Sequence, residues 1–251
     1  MTEHVVIQDT GPVRLIRLDR PDKKNALTGA MYEALREAVA EADGSEAIGA
    51  VVFAGGPGAF SAGNDLSDFV EASRHPFEQS PALRFIRQLA RTRTPLVAAV
   101  DGIAVGIGAT LTLHCDLVYV SPAANFRMPF VELGLVPEAG SSYLLPRRVG
   151  LPRATEILLF CEPYGADETV RLGLANAVIP SDLLVEHAMT KAARLAALPP
   201  GPLQATRALI RGDQSALEAA VETEAVAFEA RLRSPEAQAA FAAFLNRARK
   251  G

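Results

Sequence analysis

Two glycine-rich loops are the first places where this sequence could do chemistry. One runs Gly55-Gly56-Pro57-Gly58-Ala59-Phe60-Ser61-Ala62-Gly63-Asn64-Asp65, and the other contains Val105-Gly106-Ile107-Gly108. Each follows an apolar strand pattern and leads toward a helical one. Neither matches a nucleotide cradle: the first lacks a Lys-Ser/Thr pair, and the second lacks the third glycine of a dinucleotide fingerprint. Loops without side chains can bring backbone N–H groups together. Two such donors, one at a helix start, stabilise a developing oxyanion. The same glycines could serve only as tight turns, and spacing alone leaves both readings open.

The titratable residues near these loops have plainer readings. Glu132 is expected to face solvent from a helical turn, Asp65 to cap the turn that follows it, and Asp116 to bond backbone beside a strand. His114 lies on an apolar face and reads as a core histidine, while His4, His75 and His187 are scattered, so no metal site is expected. Ser141 and Ser142 stand where a helix begins and are placed to cap it. No histidine lies close enough in sequence to activate them, which argues against a serine hydrolase.

These loops need a scaffold. Val5–Ile7 and Val13–Leu18 flank Gly11-Pro12 and predict a β-hairpin. Thr28 caps a predicted helix to about Ala42, with Met31, Leu35, Ala38 and Val39 on one face. Strands are predicted over 48–54, 96–100 and 117–120, and helices over 82–91, 109–114, 130–135, 140–149 and 152–160. Alternating strands and helices predict an α/β fold. Past about Leu195 the strand signal ends, and 216–233 and 235–249 read as alanine-rich amphipathic helices. The expected organisation is a core over 1–195 and a helical region over 196–251.

Length and composition agree. The 251 residues are 49% apolar and 22% charged, enough for a sizeable core. A net charge of −4 argues against a nucleic-acid partner, and no run of 18 apolar residues predicts a membrane span. The first residues show no secretory pattern, and Cys115 and Cys161 suggest neither a disulfide framework nor a metal spacing. A cytoplasmic protein with two buried thiols is expected.

Phe60-Ser61-Ala62-Gly63-Asn64-Asp65-Leu66 and Val100-Asp101-Gly102-Ile103-Ala104-Val105-Gly106-Ile107-Gly108 resemble the two oxyanion segments of the crotonase (enoyl-CoA hydratase/isomerase) superfamily. The resemblance extends from the hairpin through Arg20-Pro21-Asp22-Lys23-Lys24-Asn25-Ala26-Leu27 to the helical tail. It implies a crotonase-like spiral of ββα units with a C-terminal helical trimerisation region, assembled as a homotrimer or dimer of trimers. By position, the oxyanion donors would be the backbone N–H groups of Asn64 and Ile107. The two glutamates of a hydratase fall on Thr110 and Phe130, neither of which moves a proton near neutrality. Pro137-Glu138-Ala139-Gly140-Ser141-Ser142 is similar to the peroxisomal-type Δ3,Δ2-enoyl-CoA isomerase branch, whose single catalytic base would be Glu138. The Gly63-Asn64-Asp65-Leu66 form of the first loop and Leu198-Pro199-Pro200 fit the same branch.

That resemblance implies an acyl-CoA thioester as substrate, with the thioester along Ser61, Ala62, Gly63, Asn64, Asp65 and Leu66. Lys24 would contact a coenzyme A phosphate. Phe130, Leu135, Val136, Ile107 and Phe69 would make the surroundings apolar. Coenzyme A belongs to the substrate, so no separate cofactor or metal is implied. A hydratase or another crotonase-type enzyme is the alternative within the family. A catalytically silent acyl-CoA-binding scaffold is the alternative outside enzymology.

Overall fold

The computed structural model describes residues 3–72 and 75–248. Strands β1 (Val5–Thr10) and β2 (Val13–Leu18) form the expected antiparallel hairpin, in register from Val5 opposite Leu18 to Thr10 opposite Val13. Thr28 caps α1 (Gly29–Asp43), its hydroxyl accepting from the Met31 N–H at 3.3 Å.

The chain then repeats one manoeuvre. β3 (Ala50–Ala54) turns into β4 (Ala59–Ser61), followed by α2 (Leu66–Ala72) and α3 (Pro81–Arg91). β5 (Leu96–Val100) turns into β6 (Ile103–Val105) and then α4 (Ile107–Thr110), which tightens into a 3₁₀ turn over Leu111–His114. β7 (Leu117–Val120) turns into β8 (Asn125–Arg127), with a 3₁₀ turn over Val131–Leu133 in place of the helix predicted over 130–135. α5 (Ser141–Val149), α6 (Leu151–Phe160), β9 (Tyr164–Gly165), α7 (Ala166–Arg171) and β10 (Ala177–Val178) follow.

The first strand of each pair enters a six-stranded sheet ordered β1-β2-β3-β5-β7-β10, parallel from β2 onward. The second enters a four-stranded sheet ordered β4-β6-β8-β9. This is the crotonase spiral of ββα units. The large sheet is covered on both faces, which is why β3 and β5 are buried end to end. Strand alternation sends Val51 and Phe53 toward α1 and α3, while Ala50, Val52 and Ala54 pack against Leu184, Ala188 and Ala192 of α8 (Ser181–Ala196).

Three helices complete the described chain: α9 (Pro200–Arg211), α10 (Gln214–Leu232) and α11 (Pro235–Ala248). α10 packs across α3 and α5, so the helical region reaches the core. Among the described residues, no helix is long and apolar enough to cross a membrane. Both cysteines are buried and free.

Candidate active site

The first glycine loop is held by the polar segment before α1. Ala62 donates to the Lys24 carbonyl at 2.9 Å, Leu27 to Gly63 at 2.7 Å, and Asp65 back to Leu27 at 2.9 Å. Asn25, buried and left-handed at φ 57°, is the fastener. Its side-chain amide donates to the Ala59 carbonyl at 2.8 Å, its carbonyl accepts from Arg20 N–H at 2.7 Å, and its own backbone oxygen accepts from Ser61 Oγ at 2.9 Å. Sequence reasoning passed over Asn25. The available signal was a residue tolerant of positive φ inside a polar loop.

The second loop lies directly on the first, backbone against backbone. A Cβ at Gly63 would stand 2.9 Å from the Val105 carbonyl oxygen, and one at Gly108 would stand 2.7 Å from the Ser61 oxygen. Gly63 also has φ 89°, a conformation that glycine adopts freely. The N–H groups of Asn64 and Ile107 belong to the peptide bonds leaving Gly63 and Gly106, which face each other across this contact. Leu27 occupies the other edge of residue 64, so the Asn64 N–H points away from it. Ile107 is the first residue of α4 and carries one of the N–H groups that a helix leaves unpaired.

Three residues after Ile107, on the same face of α4, the Thr110 hydroxyl donates to Glu138 Oε1 at 2.5 Å. A single helical turn thus carries a candidate oxyanion donor and a partner for the carboxyl group. Sequence reasoning saw Thr110 only as a missing glutamate; the structure makes it the residue that orients Glu138. Glu138 is 7% exposed. Burial pushes its pKa up to about 8, the Thr110 hydrogen bond opposes that rise, and the charge of Glu224 adds to it.

The turn presenting Glu138 is unusual. Ala139 and Gly140 are both left-handed, at φ 58° and 68°. For alanine this conformation is strained and needs outside support. His114 supplies some. Burial lowers its pKa to about 4, so the ring is neutral and its Nε2–H donates to the Ala139 carbonyl at 2.7 Å. Glu224 of α10 supplies the rest, accepting from Gly140 N–H at 2.6 Å, Ser142 N–H at 2.8 Å and Ser142 Oγ at 2.5 Å. The start of α5 is therefore capped by a residue from α10, and neither serine caps it as sequence placement suggested. Ser141 Oγ is buried without a partner.

The other predicted residues fall around this centre. Asp65 accepts from Ser67 N–H at 3.0 Å and Asp68 N–H at 3.2 Å, capping α2, and pairs with Arg20 at 2.7 Å. Leu66 opens α2 half-buried. Lys24 is exposed at φ 49° on the loop that holds Ala62 and its neighbours. Phe130, Leu135 and Ile107 are buried and Val136 is half-buried, while the Phe69 side chain lies outside the described residues. Glu132 is exposed and paired with Arg127 at 2.7 Å. Asp116 accepts from Leu96 N–H at 2.8 Å and pairs with Arg207 at 2.9 Å. Among the described residues no group of three His, Cys, Asp or Glu converges as a metal site. Beside Asn64 a narrow crevice is walled by Leu27, Tyr32, Phe77, Ala82 and Leu232.

The enoyl-CoA hydratase/isomerase family model matches residues 8–250. The chain belongs to the enoyl-CoA hydratase/isomerase family. Members of this family act on acyl-CoA thioesters. The chain is 35% identical to enoyl-CoA delta isomerase 2 of Rattus norvegicus, over 97% of this chain and 63% of that protein. It therefore spans less than two thirds of that relative. It is 32% identical to the 2,3-dehydroadipyl-CoA hydratase of Escherichia coli, over 94% of this chain and 92% of that one. Pseudomonas aeruginosa OdaA superposes with a TM-score of 0.93 at 40% identity, covering 97% of this chain and 99% of OdaA. Family membership brings the fold, and relatives named for two different reactions leave the choice of reaction to the carboxyl groups.

The Glu138 environment leads to a pH prediction. A base works unprotonated, so kcat/KM is expected to climb with pH and level off above about 8. Thr110→Val removes the hydrogen bond that favours the carboxylate. Its midpoint should move to higher pH, with turnover lower by about tenfold at neutrality. Full pH–rate profiles of both proteins check this; an unshifted midpoint in Thr110→Val would separate the hydroxyl from the acid's titration.

Proposed function

We propose that this protein is a Δ3,Δ2-enoyl-CoA isomerase in which Glu138 is the only acid–base group. The observation that carries this reading is the setting of that carboxyl: buried, bonded to Thr110, with Thr110 and Phe130 at the positions where a hydratase would hold its glutamates.

The reaction moves a double bond from C3–C4 to C2–C3. Glu138 takes a proton from C2, which the thioester and the alkene both acidify. The charge spreads to the thioester oxygen, where the N–H groups of Asn64 and Ile107 hold it. Glu138 then returns the proton to C4 on the same face. A group with pKa near 8 both accepts and releases a proton near neutrality. The buried Phe130, Leu135 and Ile107 keep water from competing for that proton. Lys24, on the exposed rim of the thioester segment, would meet a coenzyme A phosphate. A homotrimer or dimer of trimers is the proposed assembly.

The test is product analysis. Purified protein is expected to convert 3-enoyl-CoA to trans-2-enoyl-CoA and to leave 2-enoyl-CoA without added water. Accumulation of 3-hydroxyacyl-CoA from 2-enoyl-CoA would identify a hydratase. No conversion of either substrate, with acyl-CoA still bound, would identify a scaffold.

A further inference from the structure

We propose that Tyr32 is a positioning residue of the oxyanion site, its phenol fixing the Asn64 side chain and, through it, the N–H that Asn64 offers to the thioester oxygen. The proposal rests on the reading of Asn64 as an oxyanion donor, and not on which reaction follows.

The Tyr32 hydroxyl donates to Asn64 Oδ1 at 2.5 Å. Tyr32 sits in the first turn of α1, its N–H donating to the Thr28 carbonyl at 3.0 Å. Just before that turn, Leu27 brackets the backbone of residue 64 through its bonds to Gly63 and Asp65. One short stretch of chain therefore grips Asn64 twice, by the main chain at Leu27 and by the side chain at Tyr32. On the far side Asp65 is anchored to Arg20 and to the start of α2. The peptide at residue 64 has little freedom to tilt, which is what a preorganised oxyanion donor requires.

The ring is 3% exposed and packs against Phe85, with centroids 6.0 Å apart. A phenylalanine would fill the same space without a hydroxyl to satisfy, so the oxygen is explained by its bond to Asn64. Burial holds the phenol well above its ordinary pKa, with the charges of Glu138 and Asp68 adding to the rise. Tyr32 therefore stays a donor throughout the working range.

The experiment is a double-mutant cycle of Tyr32→Phe and Asn64→Ala, the second of which keeps the backbone N–H. Steady-state kinetics are combined with the infrared frequency of the ¹³C-labelled thioester carbonyl in a bound saturated acyl-CoA. Tyr32→Phe is expected to lower kcat by about fivefold with KM nearly unchanged and to shrink the carbonyl red shift. Adding it to Asn64→Ala should cost nothing further. Additive effects, or a fully active Tyr32→Phe with an unaltered carbonyl, would overturn the proposal, as would a wild-type complex with no red shift. If the shift depends on Tyr32 but 3-enoyl-CoA is not isomerised, positioning stands and the assigned reaction falls. Thermal melts confirm that the variants compared are folded.

Discussion

Glu138→Gln is expected to lower isomerase turnover by about 10³-fold or more while leaving acyl-CoA binding within a few fold. Glutamine fills the same volume and its carbonyl can still accept from the Thr110 hydroxyl. It cannot carry a proton from C2 to C4, and the neighbouring carboxyls among the described residues are engaged elsewhere: Glu132 is exposed and bound to Arg127, Glu224 is occupied by Gly140 and Ser142, Asp65 by Arg20 and Asp68 by Gly29. Single-turnover assays with calorimetric binding check this, and a variant retaining a tenth of wild-type turnover would remove Glu138 from the reaction.

The same substitution should stabilise the protein at alkaline pH. Burial raises the Glu138 pKa from an ordinary 4.5 to about 8, so the folded state holds a proton that the unfolded chain gives up. Its contribution to stability is complete below pH 4.5 and is lost as pH rises through 8. Glutamine has no proton to lose. The melting temperature of Glu138→Gln is therefore expected to gain on the wild type between those limits and to hold its lead above them.

Gly63→Ala is expected to lower kcat by about 10²-fold and stability by roughly 1–3 kcal/mol. Two independent conflicts arise. Residue 63 sits at φ 89°, and the added methyl would press to 2.9 Å from the Val105 carbonyl oxygen. Relief requires the two loops to part, which carries the Asn64 and Ile107 amides away from one another. Gly56→Ala is the control: it meets nothing within 4 Å and should behave as wild type. Kinetics with urea melts of both variants decide the matter. A Gly63→Ala enzyme that loses stability but keeps kcat would show that the spacing of the loops does not set the donor pair.

The large sheet was legible except for its two-residue edge strand β10, because buried parallel strands are written as continuous apolar runs, as in Leu96–Val100. The small sheet was not. Its strands Ala59–Ser61, Ile103–Val105 and Asn125–Arg127 are too short for alternation to register, and two lie within the glycine loops. α9 escaped because Pro199-Pro200-Gly201-Pro202 reads as a loop, whereas Pro200 occupies the first turn, where a missing N–H is harmless. Glu138 is one carboxylate among many until the family resemblance singles it out. Thr110, Tyr32 and Glu224 left no local mark, since each earns its place through a partner far along the chain. Tyr32 in particular adjoins an apolar helical stripe and reads there as ordinary packing.

Glu224 lies 84 residues beyond the Gly140 amide it caps. The strained turn at Ala139 therefore gains this anchor only after α10 has been synthesised and has docked. Until then the acid rides on a turn missing one of its two supports. The nascent chain can lay down its sheets and early helices in order, but the turn that carries Glu138 is complete only once a helix from the far end of the described chain has come back to hold it.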